Sequence, residues 1–176
     1  MAAYPTFASV SIELRDGVAD VVLTATGKGP RMGPAYWREM PQVFAALSDD
    51  DNVRAIVLRS AVEHFSFGLD LAGMAAELAP LTQPTGGISV RQRFLATVKA
   101  MQKAHDAVAR CPKPVIAAIG GWCIGGGVDL ITACDVRLAS TDAMFSVREV
   151  KLAMVPDVGT LARLPAIVGQ GIARAW

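Results

Sequence analysis

Three carboxylates and a run of glycines are the groups in this sequence that could do chemistry together. Ile124-Gly125-Gly126-Gly127-Val128-Asp129-Leu130 sets one acid directly behind three residues without side chains, and Glu149 and Asp157 follow in apolar surroundings. A ligand oxygen can approach a backbone N–H closely only where no side chain intervenes. A helix starting at these glycines would also point its unpaired N–H groups, and the positive end of its dipole, at that oxygen. Close packing of a helix against a strand also calls for glycine, although one or two usually suffice. Asp129 falls in the first turn of the expected helix, where the dipole favours its ionised form and an ordinary helix-start role is the alternative. Glu149 and Asp157 are the only acids beyond Ala143, with Val147 and Val150 beside the first and Val155, Pro156 and Val158 beside the second. Partial burial would raise their pKa values into the range useful for general acid–base catalysis. Exposure would instead pair them with Arg148, Lys151 or Arg163 in surface salt bridges.

A second backbone element matches the glycine run. In His64-Phe65-Ser66-Phe67-Gly68-Leu69-Asp70-Leu71, Gly68 lets the chain turn sharply and present the Leu69 amide. Two converging N–H donors form an oxyanion hole, which stabilises negative charge developing on a carbonyl oxygen. The Leu69 amide and one from the glycine run are the expected donors.

The elements that must position these groups can be read from periodicity. Val10, Ile12 and Leu14 alternate with polar residues, Asp16-Gly17 supplies a hairpin turn, and Val18 to Leu23 returns as a second strand. From Gly33 to about Leu47, Ala35, Trp37, Met40, Val43, Phe44 and Leu47 recur at helical spacing. Val53 to Leu58 reads as a buried strand, so strand, helix and strand alternate as in an α/β sheet with crossover helices. Leu78 to Gly87, with two prolines and two glycines, reads as an exposed loop. Ile88 to Ala109 reads as a long helix, stopped by Cys111-Pro112-Lys113-Pro114, and Val115 to Ile119 as the strand that delivers the glycines.

Composition narrows the partners. With 176 residues, of which 52% are hydrophobic, the chain is expected to form one domain over 1–176. A net charge of +1 without a basic cluster gives no nucleic-acid footprint. Mean hydropathy is +0.38, yet no apolar run approaches the roughly 20 residues that cross a bilayer, so no membrane association is expected. Met1-Ala2-Ala3-Tyr4-Pro5 lacks the pattern of a secretory signal, and the expectation is a cytoplasmic protein. Cys111, Cys123 and Cys134 lack the paired spacing of a zinc site and read as reduced core thiols. His64 and His105 pair neither with each other nor with a cysteine at ligand spacing, and His64 reads as a loop-packing residue. No metal ligand set is expected. Met154 and Trp122 are candidate lining residues of a ligand pocket.

Taken together, the chain resembles the enoyl-CoA hydratase/isomerase, or crotonase, superfamily along essentially its whole length. The resemblance is carried by the hairpin, Trp37-Arg38-Glu39-Met40, the Phe65-to-Asp70 loop, Lys113-Pro114-Val115-Ile116-Ala117-Ala118, the triple-glycine helix, Ala133-Cys134-Asp135-Val136-Arg137 and Arg163-Leu164-Pro165. Within that family the acids are most similar to those of the Δ3,5-Δ2,4-dienoyl-CoA isomerases, which carry an aspartate in the glycine-rich helix, a glutamate twenty residues later and an aspartate eight residues beyond it. Asp129, Glu149 and Asp157 reproduce both intervals.

The resemblance implies an α/β crotonase-like spiral of ββα units, acting on an acyl-CoA thioester with no cofactor beyond the coenzyme A of the substrate. It implies Asp157 as the base at C2, Glu149 as the acid at C6, and Asp129 as a third pocket acid that steers or shares protons. Substrate would lie along Ser66, Phe67, Gly68, Leu69, Asp70 and Gly126, with its carbonyl between the Leu69 and Gly126 amides. Lys28 and Arg31 could reach the coenzyme A phosphates or form a solvated basic loop. The usual family wording there is replaced by Arg31-Met32-Gly33-Pro34-Ala35. A 2-enoyl-CoA hydratase and a weakly catalytic acyl-CoA-binding subunit are the alternatives. Family members continue beyond the point matching Trp176 with helices that cover the acyl pocket and build a trimer or hexamer. The expectation is therefore a core lacking its C-terminal helical region, homo-oligomeric when full length.

Overall fold

The computed structural model describes residues 4–25, 27–82 and 87–176. β1 (Val10–Arg15) and β2 (Val18–Leu23) form the expected hairpin, with Val10 opposite Leu23 and Arg15 opposite Val18. Asp16 and Gly17 both have positive φ, 49° and 80°, the turn whose twist matches that of the flanking strands. Ala19, Val21 and Leu23 point into the core at every second position of β2.

Helix α1 (Pro34–Asp49) starts with proline in its first turn, where a missing N–H costs nothing. Its buried stripe is Tyr36, Trp37, Met40, Val43, Phe44 and Leu47. Next comes β3 (Ala55–Ser60), two residues later than its apolar run suggests. Val53 is still buried, but in the turn before the strand, where its N–H donates to the Asp50 carbonyl.

The expected loop from Leu78 to Gly87 is corrected in its first half by α2 (Ala75–Thr82). The helix formers Ala75, Ala76, Glu77, Leu78 and Ala79 carry the helical conformation through Pro80. The Thr-Gln-Pro-Thr-Gly part of that reading falls largely on residues 83–86, outside the described residues. The long helix α3 (Ile88–Ala109) and β4 (Val115–Ile119) occupy the spans expected for them.

Beyond β4 the chain forms β5 (Trp122–Ile124), α4 (Gly126–Ala133), β6 (Val136–Ala139), β7 (Met144–Ser146), a 3-10 helix (Arg148–Leu152), α5 (Thr160–Val168) and α6 (Gln170–Ala175). The main sheet has the order β1-β2-β3-β4-β6, parallel from β2 onward, and β5 pairs β7 in a small parallel sheet. All eight residues of α4 are buried, so the glycine-rich helix runs through the interior. Among the described residues no helix is long and apolar enough to cross a membrane.

Candidate active site

The loop after β3 is fastened on both sides by main-chain bonds. Met32 N–H donates to the Gly68 carbonyl at 2.8 Å and Asp70 N–H to the Met32 carbonyl at 3.2 Å. On the other flank, Ser66 N–H donates to the Trp122 carbonyl and Ile124 N–H to the Ser66 carbonyl, both at 3.0 Å. Residues 65–70 are thus woven between the segment before α1 and β5. This brings Leu69 beside the start of α4.

Gly68 makes the approach possible. Its φ is +73°, and a Cβ there would lie 2.7 Å from the Ile124 carbonyl oxygen and 3.0 Å from the Gly126 nitrogen, both immovable backbone atoms. The Gly126 Cα region in turn faces the Leu69 nitrogen, 3.8 Å from where a Gly126 Cβ would stand. Among the described residues, no protein acceptor engages the Leu69 or Gly126 N–H. Two unspent donors therefore lie side by side, an arrangement compatible with an oxyanion hole.

The three glycines divide the two roles left open by the sequence. Gly125, φ +53°, makes the turn from β5 into α4. Gly126 bares its N–H. Gly127 serves packing, since a Cβ on it would meet Ser66 Cβ at 3.0 Å and Cys123 Sγ at 3.3 Å.

A cavity of about 530 Å³ opens in front of the two donors. Leu69, Gly126, Asp129, Glu149 and Asp157 all line it, within a wall otherwise dominated by apolar side chains that include Trp37, Phe67, Phe94, Val98, Met101 and Met154. Three acids far apart in sequence thus share one apolar chamber with the paired amides. Of the other residues expected at the substrate, Phe67 is in this wall. Ser66 is fully buried behind it, its hydroxyl accepting the Gly68 N–H at 3.0 Å, and Asp70 accepts the Gly73 N–H at 3.1 Å. Ser66, Gly68 and Asp70 shape the loop and are not in the cavity wall. Met154 lines the cavity; Trp122 does not, and Trp37 of α1 takes that role.

Each acid has its own environment. Asp129 is wholly buried, and its Oδ1 accepts the Thr160 N–H at 2.6 Å. Burial pushes its pKa up, the Thr160 hydrogen bond pulls it down, Asp157 adds to the rise and Arg163 opposes it. Glu149 is half-buried with Oε2 unpartnered; burial raises its pKa, and the charges of Asp129 and Asp157 add to the rise. Asp157, the most exposed, is also raised, chiefly by burial. Among the described residues neither Glu149 nor Asp157 forms a salt bridge, and Arg163 pairs with Asp106 of α3 instead, at 2.8 Å. A carboxylate set with raised pKa values in one pocket suits proton transfer near neutral pH.

The supporting shell was not legible in the sequence. Gln102 of α3 donates to the Asp157 carbonyl at 2.8 Å, one helical turn from Asp106, which holds Arg163. The i, i+4 spacing of Gln102 and Asp106 is a sign of a shared helix face, but nothing in it names the partner. His64 accepts the Trp122 N–H at 3.3 Å and packs its ring on Phe67, a loop-packing role. Lys28 and Arg31 are exposed, and the Arg31 guanidinium stands 6.0 Å from the centre of the Phe67 ring. Cys111, Cys123 and Cys134 are free thiols. Among the described residues no group of three or more His, Cys, Asp or Glu has the arrangement of a metal site.

Comparison with known proteins gives a consistent result. The model of the enoyl-CoA hydratase/isomerase family matches residues 14–176. The chain is 43% identical over 155 residues to the mitochondrial Delta(3,5)-Delta(2,4)-dienoyl-CoA isomerase of Mus musculus, covering 87% of this chain and 46% of that one. It is 38% identical over 169 residues to the peroxisomal enzyme of the same name from Arabidopsis thaliana, covering 96% and 61%. The chain therefore spans about half the length of the mouse relative. The names of these two relatives place them in organelles, whereas the sequence reading pointed to the cytoplasm. Among solved structures, an enoyl-CoA hydratase of Shewanella pealeana superposes with a TM-score of 0.82 at 26% identity, over 96% of this chain and 60% of that one. An enoyl-CoA hydratase/carnithine racemase of Magnetospirillum magneticum gives 0.81 at 28%, again over 96% and 60%. The fold is crotonase-like.

Proposed function

Because the chain belongs to the enoyl-CoA hydratase/isomerase family, we propose that it isomerises 3,5-dienoyl-CoA to 2,4-dienoyl-CoA in fatty-acid oxidation, the reaction named in its mouse and Arabidopsis relatives. The observation that carries this reading is the meeting of Asp129, Glu149 and Asp157 with the unpaired Leu69 and Gly126 amides in one largely apolar cavity.

In the proposed reaction the thioester carbonyl oxygen accepts hydrogen bonds from Leu69 and Gly126. Asp157 takes a proton from C2, and the electron pair left behind delocalises onto that oxygen as a dienolate held by two fixed dipoles. Glu149, protonated at the start, returns a proton at C6, so both double bonds move one carbon toward the thioester and the atoms balance. Asp157 then carries the proton that Glu149 has lost, and exchange with solvent or between the acids resets the pair. Coenzyme A enters as part of the substrate, and the reaction calls for no metal or further cofactor. Separated pKa values let neighbouring carboxyls act as an acid and a base at the same pH.

The test is the ultraviolet absorbance change on incubating the full-length protein with 3,5-dienoyl-CoA and, separately, with 2-enoyl-CoA. Turnover of the dienoyl thioester that Asp157→Asn abolishes is the expected result. Hydration of 2-enoyl-CoA without dienoyl turnover would overturn the reading in favour of a hydratase. Tight acyl-CoA binding with neither activity would mark a binding subunit.

A further inference from the structure

Asp129 is the most enclosed of the three acids, and its Oδ2 is buried without a hydrogen-bond partner. A carboxylate in such a place is costly unless a cation compensates it. Arg163 of α5 is turned inward toward it. Its Nη1 fills the space that a Cβ on Gly159 would need, and Asp129 Oδ1 lies 3.9 Å from that same point. Guanidinium and carboxylate therefore both lie beside Gly159, a residue without a side chain, near each other but without a direct salt bridge, since Arg163 pairs with Asp106. Gly159 has φ +140°, a conformation that glycine adopts freely.

The guanidinium is held at one end only. Nη2 donates to Asp106 Oδ1 at 2.8 Å, while Nη1 is buried and makes no hydrogen bond. A cation anchored by α3 thus brings its unpaired end near a buried acid that has one oxygen, Oδ1, bonded to the Thr160 N–H and the other, Oδ2, unpartnered. Glu149, whose Oε2 is equally unpartnered, has no ion pair among the described residues.

The other titratable groups around Asp129 do not supply this charge. They are Asp157 on the loop before α5, Glu149 on the 3-10 helix, Tyr36 on α1, His105 and Asp106 on α3, and Cys134 at the end of α4. Burial pushes Tyr36 and Cys134 up and His105 down to about 4, so all three are neutral near pH 7. Asp106 is committed to Arg163 itself.

We propose that Arg163, anchored by Asp106, is a positioning residue that holds Asp129 as the carboxylate, so that the proton carried by the cavity acids resides on Glu149. The consequence for turnover rests on the isomerase reading, but the electrostatic arrangement does not. Asp129 then acts by its charge: it raises the proton affinity of Glu149 and takes no part in the transfers.

The experiment uses the full-length protein and the variants Arg163→Gln, Arg163→Lys and Asp106→Asn. Infrared pH titration without substrate follows the Asp129 carboxyl stretch, identified by its loss in Asp129→Asn. In Arg163→Gln the Asp129 ionisation is expected to move up by about 1 pH unit, the lower end of the effect of a nearby opposite charge. The Glu149 band should move down as its neighbour loses charge. Lysine at 163 should restore most of both positions. In dienoyl-CoA turnover the pH profile of kcat/KM should move with these bands, with kcat affected more than KM. An Asp129 band at the wild-type position in Arg163→Gln overturns the proposal, as does a uniform loss of rate with an unmoved profile. If Arg163→Gln does not fold, Asp106→Asn decides: a free guanidinium should give a smaller shift of the same sign, and no shift overturns the proposal. Shifted bands in a protein whose wild type leaves dienoyl-CoA unchanged would sink the isomerase reading alone.

Discussion

The two sides of the cavity are built by opposite means. On one side, Leu69 and Gly126 offer main-chain N–H groups on segments fixed by hydrogen bonds to Met32, Trp122 and Ser66, in a region where Phe65, Ser66 and Gly126 are buried. On the other, Glu149 and Asp157 offer side chains on a 3-10 helix and a loop whose neighbours Val150, Leu152 and Val155 are exposed. The first side cannot lose its donors without disturbing the fold, because the same backbone supplies both. The second can, because its chemistry sits on two replaceable side chains.

The sharpest way to separate the sides is at Asp157. Asp157→Asn should lower kcat for dienoyl isomerisation by about 10²–10⁴-fold, as loss of a positioned base does, with circular dichroism and melting temperature near wild type. A large fall in melting temperature would break the comparison. Gly68→Ala attacks the opposite side. Its Cβ, pressed against Ile124 O and Gly126 N, displaces a donor and should cost about 10²–10³-fold in rate. Unlike the first variant it should also destabilise the fold, because alanine at φ +73° is strained; an unchanged urea midpoint would refute that coupling.

A subtler contrast concerns pH. Glu149 has a folded-state pKa above its unfolded value, so its contribution to stability is complete below the unfolded pKa and is lost as pH rises through the folded one. Glu149→Gln removes that loss. The variant should therefore melt above wild type at mildly alkaline pH and converge with it as pH falls toward the ordinary carboxylate range, which calorimetry across pH would check. The smallest effect is expected at Gln102→Ala, which frees the Asp157 carbonyl and should lower kcat several-fold at most, given about 1 kcal/mol for one hydrogen bond.

Legibility in the sequence follows the same division. The hairpin, α3 and β4 were readable because their apolar period and turn residues agree, and Asp16-Gly17 adopts the expected positive φ values. The close approach of the two loops could be inferred from Gly68 and the glycine run, since glycine marks where backbone comes close; the choice of Gly126 comes from the family resemblance. The acids could be located, but their partners could not. Arg163 reads as a possible mate for Glu149 or Asp157 and instead binds Asp106, a residue 57 positions away on α3. Trp37 reads as core and is also cavity wall. β5 and β7 are three residues each and leave no period to detect; only their pairing across the fold defines them. The alanine-rich start of α2 was hidden by the prolines that follow it.

The main-chain origin of the two donors has a consequence for how such a site can change over generations. A codon change at Leu69 reshapes the cavity wall but leaves the N–H in place; among side-chain replacements only proline deletes it. Each acid, by contrast, becomes an amide or a glycine by a single base change. Variation on this scaffold therefore reaches the acids proposed to move protons far more readily than the amides proposed to stabilise the enolate. On the proposed reading, the paired amides are inherited nearly intact while the reaction that follows is open to revision.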